Sequence, residues 1–386
     1  MIETRPIRPG HWAEDEGRWA ALFAAAPHAS PYLAPGWVRT FVETFADELP
    51  TTQLVVRSGQ DVVEGMCLFT HRVDHRALVP LRRWYLNTAG ERGVDSVVVE
   101  HNAILSAWGS EARVYAEIAE FLERAPLDEL VLLGATEDAV LRFCEALPLW
   151  RPQIEWRESP YVDLEAIRAS GGDHLAAVSR NTREQIRRSL RQYRESGTLR
   201  VDEAGSVNEA LAMFDEMVVL HQARWQRLGQ SGGFATDVRR KFHRNFVRRA
   251  HADGHVLFLR VVDGEGTLGV LYNLVANGHV CFYQSGLRYG TDSRLKPGLV
   301  AHHLAIAHCL TSGHRQYDFL PSAPSEGRYK LSLATDSYRL GTVILQRPGW
   351  RRRWFEWART IRRGLSAGRL NMDVRVGRGP SSTVSS

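Results

Sequence analysis

HVCFYQSGLRYGTDSRLKPGLVAHHLAIAHCLTSG, residues 279–313, decides how this chain is read. Residues 279–288 have the look of a strand, 289–297 are polar and bear Gly, Ser and Lys, and 298–313 read as a helix. A helix N-terminus exposes unpaired N–H groups and a partial positive charge, a ready place for pyrophosphate. Pro297 suits a first-turn position, where its missing N–H costs nothing. Gly298 lets phosphates approach the backbone, and Arg294 and Lys296 add charge. The same residues also read as an ordinary strand-to-helix connection punctuated by Pro-Gly, and spacing alone favours that plainer reading.

Working outward, HVLFLRVVD (255–263), GTLGVLYNLVANG from 266 and the 279–288 strand form a meander, with turns at Gly264-Glu265 and Asn277-Gly278. Three helices precede it. SRNTREQIRRSLRQYRESG (179–197) is strongly basic, the next carries Leu211, Phe214, Met217, Val218 and Trp225 along one side, and the third is VRRKFHRNFVRRAHADG. QYDFLP (316–321) and SYRLGTVILQR (337–347) follow as strands. The first half runs in a shorter version of the same order. A hairpin at 53–58 and 64–73 leads to a strand DSVVVE (95–100), a helix at 110–124, a strand at 129–135, a helix and a strand at 154–164. This order predicts an α+β chain with mixed sheets and a structural repeat, although no internal sequence similarity is visible.

The 386 residues suggest about two domains, and the balance of 44% hydrophobic to 24% charged residues is that of a globular protein. No apolar run reaches the ~18 residues of a membrane span, and the first residues lack a secretory core, so a cytoplasmic location is expected. Cys67, Cys144, Cys281 and Cys309 are too scattered for a zinc ribbon or a redox pair and are expected as reduced thiols. His302, His303 and His308 share a helix, but i, i+1 and i+6 do not converge on a metal, so none is expected. There is no Walker loop. Residues 350–386 hold nine arginines and two acids, +7, leaving −2 on the other 349. The basic balance therefore belongs to a tail.

In order, YVDL, SRNTREQIRRSLRQYRESG, HQARWQRLGQSGGF, FYQSGL, LKPGLV and YDFLPSAPSEGRYKLSLAT resemble the FemAB-like and CelD-type branch of the GNAT acyltransferases, well over 154–347 and faintly in VVVEHNAIL. The resemblance implies two tandem GNAT-like domains, 1–153 on the acceptor side and 154–349 on the acyl-CoA side, followed by the tail 350–386. It implies a splayed strand pair, 279–288 and 316–321, with pantetheine between and pyrophosphate on the 298–313 helix. Gln284, Ser285, Gly286, Arg294, Lys296, Pro297, Gly298 and Leu299 would then bind acetyl-CoA or a longer acyl-CoA. Lys296 stands where relatives usually have Ser, which loses a hydroxyl contact. PSAPSEGR replaces a short Gly-Asp link before Tyr329-Lys330, and Glu326 is the acid nearest to it.

Acyl transfer to an amine needs a base, N–H donors for the carbonyl and a proton donor for the thiolate. Asp318, Glu100 and His101 are the candidate bases, backbone around Gln284–Gly286 the oxyanion donor, and Tyr283, Tyr329 and Lys330 the candidate proton donors or charge stabilisers. The expected function is acyl-CoA-dependent N-acyltransfer to a sugar, nucleotide sugar or similar small amine, in a setting such as cell-surface polysaccharide synthesis. Two alternatives stay open: a Fem-type transferase using aminoacyl-tRNA, met by Arg180, Arg183, Arg187, Arg188, Arg191 and Arg194, and a degenerate scaffold that only binds. Trp350, Trp354, Trp357, Ile361 and Leu365 form one stripe of a tail helix ringed by arginines. That helix either docks on its own sheet or lies on an anionic membrane at the inner face.

Overall fold

The structure, a computed structural model, describes residues 1–7, 12–45, 52–59, 62–76, 79–89, 97–195, 197–290, 292, 294–322 and 328–349. The tail reading and Glu326 lie outside the described residues.

Each half builds a meander, a helix, a strand parallel to the meander's last strand, a helix and a long final strand. In the first half these are β2 (Thr52–Gly59), β3 (Val62–Arg76), β4 (Val79–Leu86), α3 (Glu111–Arg124), β6 (Glu129–Thr136), α4 (Glu137–Ala146) and β7 (Arg151–Asp163). In the second they are β9 (Val256–Asp263), β10 (Gly266–Ala276), β11 (His279–Leu287), α10 (Pro297–Thr311), β12 (Gln316–Asp318), α11 (Arg328–Leu333) and β13 (Asp336–Gln346). β4 runs parallel to β6, and β11 parallel to β12. The repeat is therefore structural.

The halves also exchange strands. β13 inserts between β6 and β7, while β7 pairs with both β13 and β12. One mixed sheet results, in the order β1-β2-β3-β4-β6-β13-β7-β12-β11-β10-β9-β8, where β1 is Ile2–Pro6 and β8 is Arg200–Glu203; β5 (Leu105–Ser106) pairs with β3. The boundary expected at 153/154 falls inside β7.

Two helices that the sequence reading did not include, α1 (Trp12–Ala24) and α2 (Pro35–Phe45), bind the halves together. Trp37 of α2 packs edge-on to Phe242 and Phe246 of α9 (Asp237–Ala250), at 5.0 and 5.1 Å between ring centroids. Phe214 of α8 (Val207–Arg227) and Phe234 join the same core. Rings of this size carry much of the burial energy, roughly 1.5–3 kcal/mol for each fully buried phenylalanine. After two short helices, α5 (Leu164–Ala169) and α6 (His174–Ala177), the basic helix α7 (Arg180–Glu195) buries Thr182, Ile186, Ser189, Leu190 and Tyr193 and packs beside α10. Of its arginines, Arg180, Arg187, Arg188, Arg191 and Arg194 stay exposed and Arg183 is half-buried.

Two expected strands are revised. DSVVVE is not a strand over its described part, since Val97–Glu100 pairs with no ladder. QYDFLP pairs over Gln316–Asp318 only. Beyond it, Phe319 N–H turns to the Pro160 carbonyl and Leu320 takes φ +57°. Among the described residues no helix is long and apolar enough to cross a membrane.

Candidate active site

β11 and β12 stay together for three residue pairs, His279–Gln316, Val280–Tyr317 and Cys281–Asp318, and then part. Above that apex opens a cavity of about 570 Å³. Its walls include Phe282, Tyr283, Gln284 and Ser285 of β11, Phe319 and Leu320 beyond β12, and Tyr329 and Lys330 of α11. The first half contributes Tyr32, Val97, Val98 and Glu100, so the site lies at the junction.

The β11 wall is irregular for a local reason. Tyr272 faces Gln284 while Asn273 faces Phe282, which leaves Tyr283 as the extra residue of a bulge. Ser285 N–H is met by Gln284 Oε1 at 3.0 Å, and the Ser285 carbonyl accepts from His221 Nδ1 at 3.0 Å. Both backbone groups of Ser285 thus have partners outside the ladder. Gly286 is demanded by packing, because a Cβ there would strike the Met217 carbonyl of α8. His221 Nε2 accepts from Gly233 N–H at 3.1 Å. Burial lowers its pKa, so a neutral imidazole ties α8 and the Gly233 loop to the bulge.

Glu100 is buried and ion-paired with Arg157 at 2.8 Å. Lys330 Nζ donates to the Phe319 carbonyl at 2.7 Å and stands 5.1 Å above the Phe282 ring. Burial pushes the Tyr283 phenol up, and the Val98 backbone hydrogen-bonds to it. Arg224, Arg239 and His243 also line the cavity; sequence reading missed them with His221, because each lay on a helix that looked merely amphipathic.

Asp318 and His101 stand behind this cavity rather than in its lining. Asp318 is fully buried, and Oδ1 accepts from Ser159 Oγ at 2.9 Å and Leu320 N–H at 2.8 Å. His101 Nε2 lies 2.7 Å and His279 Nε2 3.3 Å from Oδ2, and the Tyr338 hydroxyl also donates there. Burial works against the carboxylate, but hydrogen bonds and charge from the two imidazoles hold it well below the usual range.

The first turn of α10 borders the cavity instead of lining it. A Cβ at Gly298 would meet Leu287 Cδ1 at 3.6 Å and Tyr329 Cε2 at 3.9 Å, both groups of the cavity wall. The Gly298 and Leu299 N–H groups precede the helix's first i→i−4 bond, from Val300 to Lys296. No acid occupies that turn. Arg294 is exposed and held bidentate by Asp292.

Residues 180–331 match the family described as an acetyltransferase (GNAT) domain, and the chain carries an acyltransferase domain of that type. No curated protein matches the sequence. Among solved structures the chain is similar to FemX, at TM-score 0.58 and 10% identity, covering 89% of this chain and 96% of that one. It is also similar to the C-terminal domain of a putative lysylphosphatidylglycerol synthetase from Agrobacterium fabrum, at TM-score 0.52 and 10% identity, covering 87% and 92%. A third likeness is L-PGS from Bacillus licheniformis, at TM-score 0.51 and 9% identity, covering 86% and 91%. At such identity the shared feature is the fold.

Proposed function

We propose that this acyltransferase moves an acyl group from acyl-CoA to the amino group of a sugar, nucleotide sugar or similar small acceptor. One observation carries the reading: β11 leaves β12 at Cys281–Asp318, and the gap opens beside the start of α10. Pantetheine takes the place of the missing strand, and the pyrophosphate meets the Gly298 and Leu299 N–H groups with Lys296 close by. The carbonyl oxygen displaces Gln284 Oε1 from the Ser285 N–H, which becomes the oxyanion donor. Glu100, reaching in from the first half, takes the proton as the amine nitrogen attacks the thioester carbon. As the C–S bond breaks, the thiolate takes a proton from Tyr329. Lys330 steadies the Phe319 turn, and Asp318 acts as a positioning residue at the apex. The acceptor enters from the side of residues 1–153.

A mass-spectrometric screen of amino-sugar acceptors with acetyl-CoA and longer acyl-CoAs tests this. A product heavier by the acyl group, absent in Glu100→Gln, is expected. Binding of acyl-CoA with no transfer to any amine would favour a scaffold that only binds.

A second reading rests on α7. Its exposed Arg187, Arg188, Arg191 and Arg194 stand beside α10, with Ser189 Oγ donating to the Arg294 carbonyl at 3.4 Å. An arginine face next to the proposed phosphate site suits an extended polyanion such as the tRNA of a Fem-type donor. Gel shift with charged tRNA, set against calorimetry with acetyl-CoA, separates the two.

A further inference from the structure

At the apex of the opened strand pair, four side chains from distant parts of the chain meet. His279 and Cys281 project from β11, Asp318 ends β12, and His101 arrives from the first half. Their donor atoms all lie within 4.8 Å of one another. We propose that His101, His279, Cys281 and Asp318 bind one zinc ion, a closed site that fastens the first half to the β11–β12 apex.

The donor set is the first argument. Two imidazoles, a thiolate and a carboxylate suit a borderline-soft cation that prefers four ligands. Geometry is the second. Zinc bonds of about 2.0–2.3 Å make a tetrahedron with edges of about 3.3–3.8 Å. His279 Nε2 lies 3.3 Å from Asp318 Oδ2 and 3.7 Å from Cys281 Sγ, both inside that window. The His101 Nε2–Asp318 Oδ2 distance of 2.7 Å needs to open by only about half an ångström.

The surroundings point the same way. Three groups, His101, His279 and Tyr338, crowd the single oxygen Oδ2, more donors than its two lone pairs serve well. A cation resolves that crowding by taking up the imidazole nitrogens and the carboxylate charge together. Ser159 Oγ and Leu320 N–H on Oδ1, with Tyr338 nearby, then supply the outer hydrogen bonds that orient a ligating carboxylate. His101, and Leu320 two residues beyond Asp318, both hold left-handed backbone, φ +52° and +57°. Strain of this kind is kept where the surroundings fix a side chain's direction. All four ligand positions belong to the protein, which marks the site as structural. Sequence spacing hides it, because only His279 and Cys281, two apart on one strand face, are close in the chain.

The test uses the full chain, stripped with a chelator under reducing conditions and titrated with Co²⁺ as an optical probe, the fold being followed by circular dichroism. One equivalent should produce tetrahedral d–d bands and a thiolate-to-cobalt charge-transfer band, both reversed by Zn²⁺. Cys281→Ser should abolish the charge-transfer band, and His279→Asn should weaken Co²⁺ binding by about tenfold or more. Loss of the fold on stripping, restored by Zn²⁺, supports the site as well. A folded wild-type chain that shows no thiolate band overturns it. So does a band that survives in folded Cys281→Ser or keeps its affinity in His279→Asn. The readout is spectroscopic and independent of acyl transfer, so its failure would leave the acyltransferase reading standing.

Discussion

The two halves make the same strand split and fill it differently. In the first, β4 and β6 part after Tyr85–Val131, and the chain's own residues occupy the gap. Asn102 bridges to Ala135, and its Nδ2 donates to the Leu86 carbonyl at 2.9 Å and the Leu133 carbonyl at 3.1 Å. Asn87 Nδ2 donates to Asn102 Oδ1 and to the Ala103 carbonyl, closing the seam. Gly134, at φ +59°, makes room, since a Cβ there would strike the Val99 carbonyl and Glu100. A cavity of about 580 Å³ stands beside this plug, and Glu111 and an Asp138–Arg142 ion pair line it. In the second half the split is open and the first turn of α10 has no acid. One repeated element has become a brace and its twin an open cleft. The brace also delivers Glu100 and His101 across the junction.

The largest expected effect comes from the residue that joins brace to cleft. Glu100→Gln should lower kcat by about 10²–10⁴, the usual worth of a general base, with the Kd for acyl-CoA nearly unchanged. If kcat holds, Glu100 belongs to the brace alone. Next is Gly134→Ala, which forces a side chain into left-handed backbone against Val99 and Glu100. Its kcat should fall while acyl-CoA affinity persists, and equal losses in both would mean the two splits are not separable. Asn102→Ala strands the Leu86 and Leu133 carbonyls in a buried seam and should cost about 2–4 kcal/mol in denaturant melts. A cost under ~0.5 kcal/mol, the size of a neutral surface change, would show that the plug is not the brace described here.

The smallest effect is a slope. Burial lowers the pKa of His302, on α10, to about 3, and that of His71, stacked on Trp84 in the first half, to about 4. Both sit below the unfolded value near 6.5, so the unfolded chain takes up protons first as the pH drops. The stability they confer is full above pH 6.5 and is lost as pH falls toward 3–4. His302→Gln should flatten the stability–pH slope between pH 6 and 4 by up to one proton. An unchanged slope would mean His302 is charged in the fold.

The second half was largely legible. Its meander is local, its turns carry Gly264-Glu265 and Asn277-Gly278, and Pro297-Gly298 punctuates the entry to α10. The first half misled where a β-branched run was placed against diverging strands: Val97–Val99 have strand chemistry but no edge to join. The β7–β13 exchange was invisible because periodicity fixes which face a strand buries and says nothing of its neighbours. Order along the chain was enough to single out Gln284, Ser285, Tyr329 and Lys330, which line the cavity. His221, Arg239 and the His101–His279–Cys281–Asp318 cluster depend on helices and halves meeting in space.

One split is open and the other shut, and the stoichiometry of acetyl-CoA binding to the full chain tests this difference most directly. Calorimetry should give one equivalent, lost in Gly298→Glu, where the new side chain finds only ordinary contacts but sets a carboxylate in the proposed phosphate site. Glu111→Lys, which makes the first turn of α3 basic, should leave that single equivalent in place, because Asn102 still fills the first split. Two equivalents, or one that survives Gly298→Glu, would contradict the account.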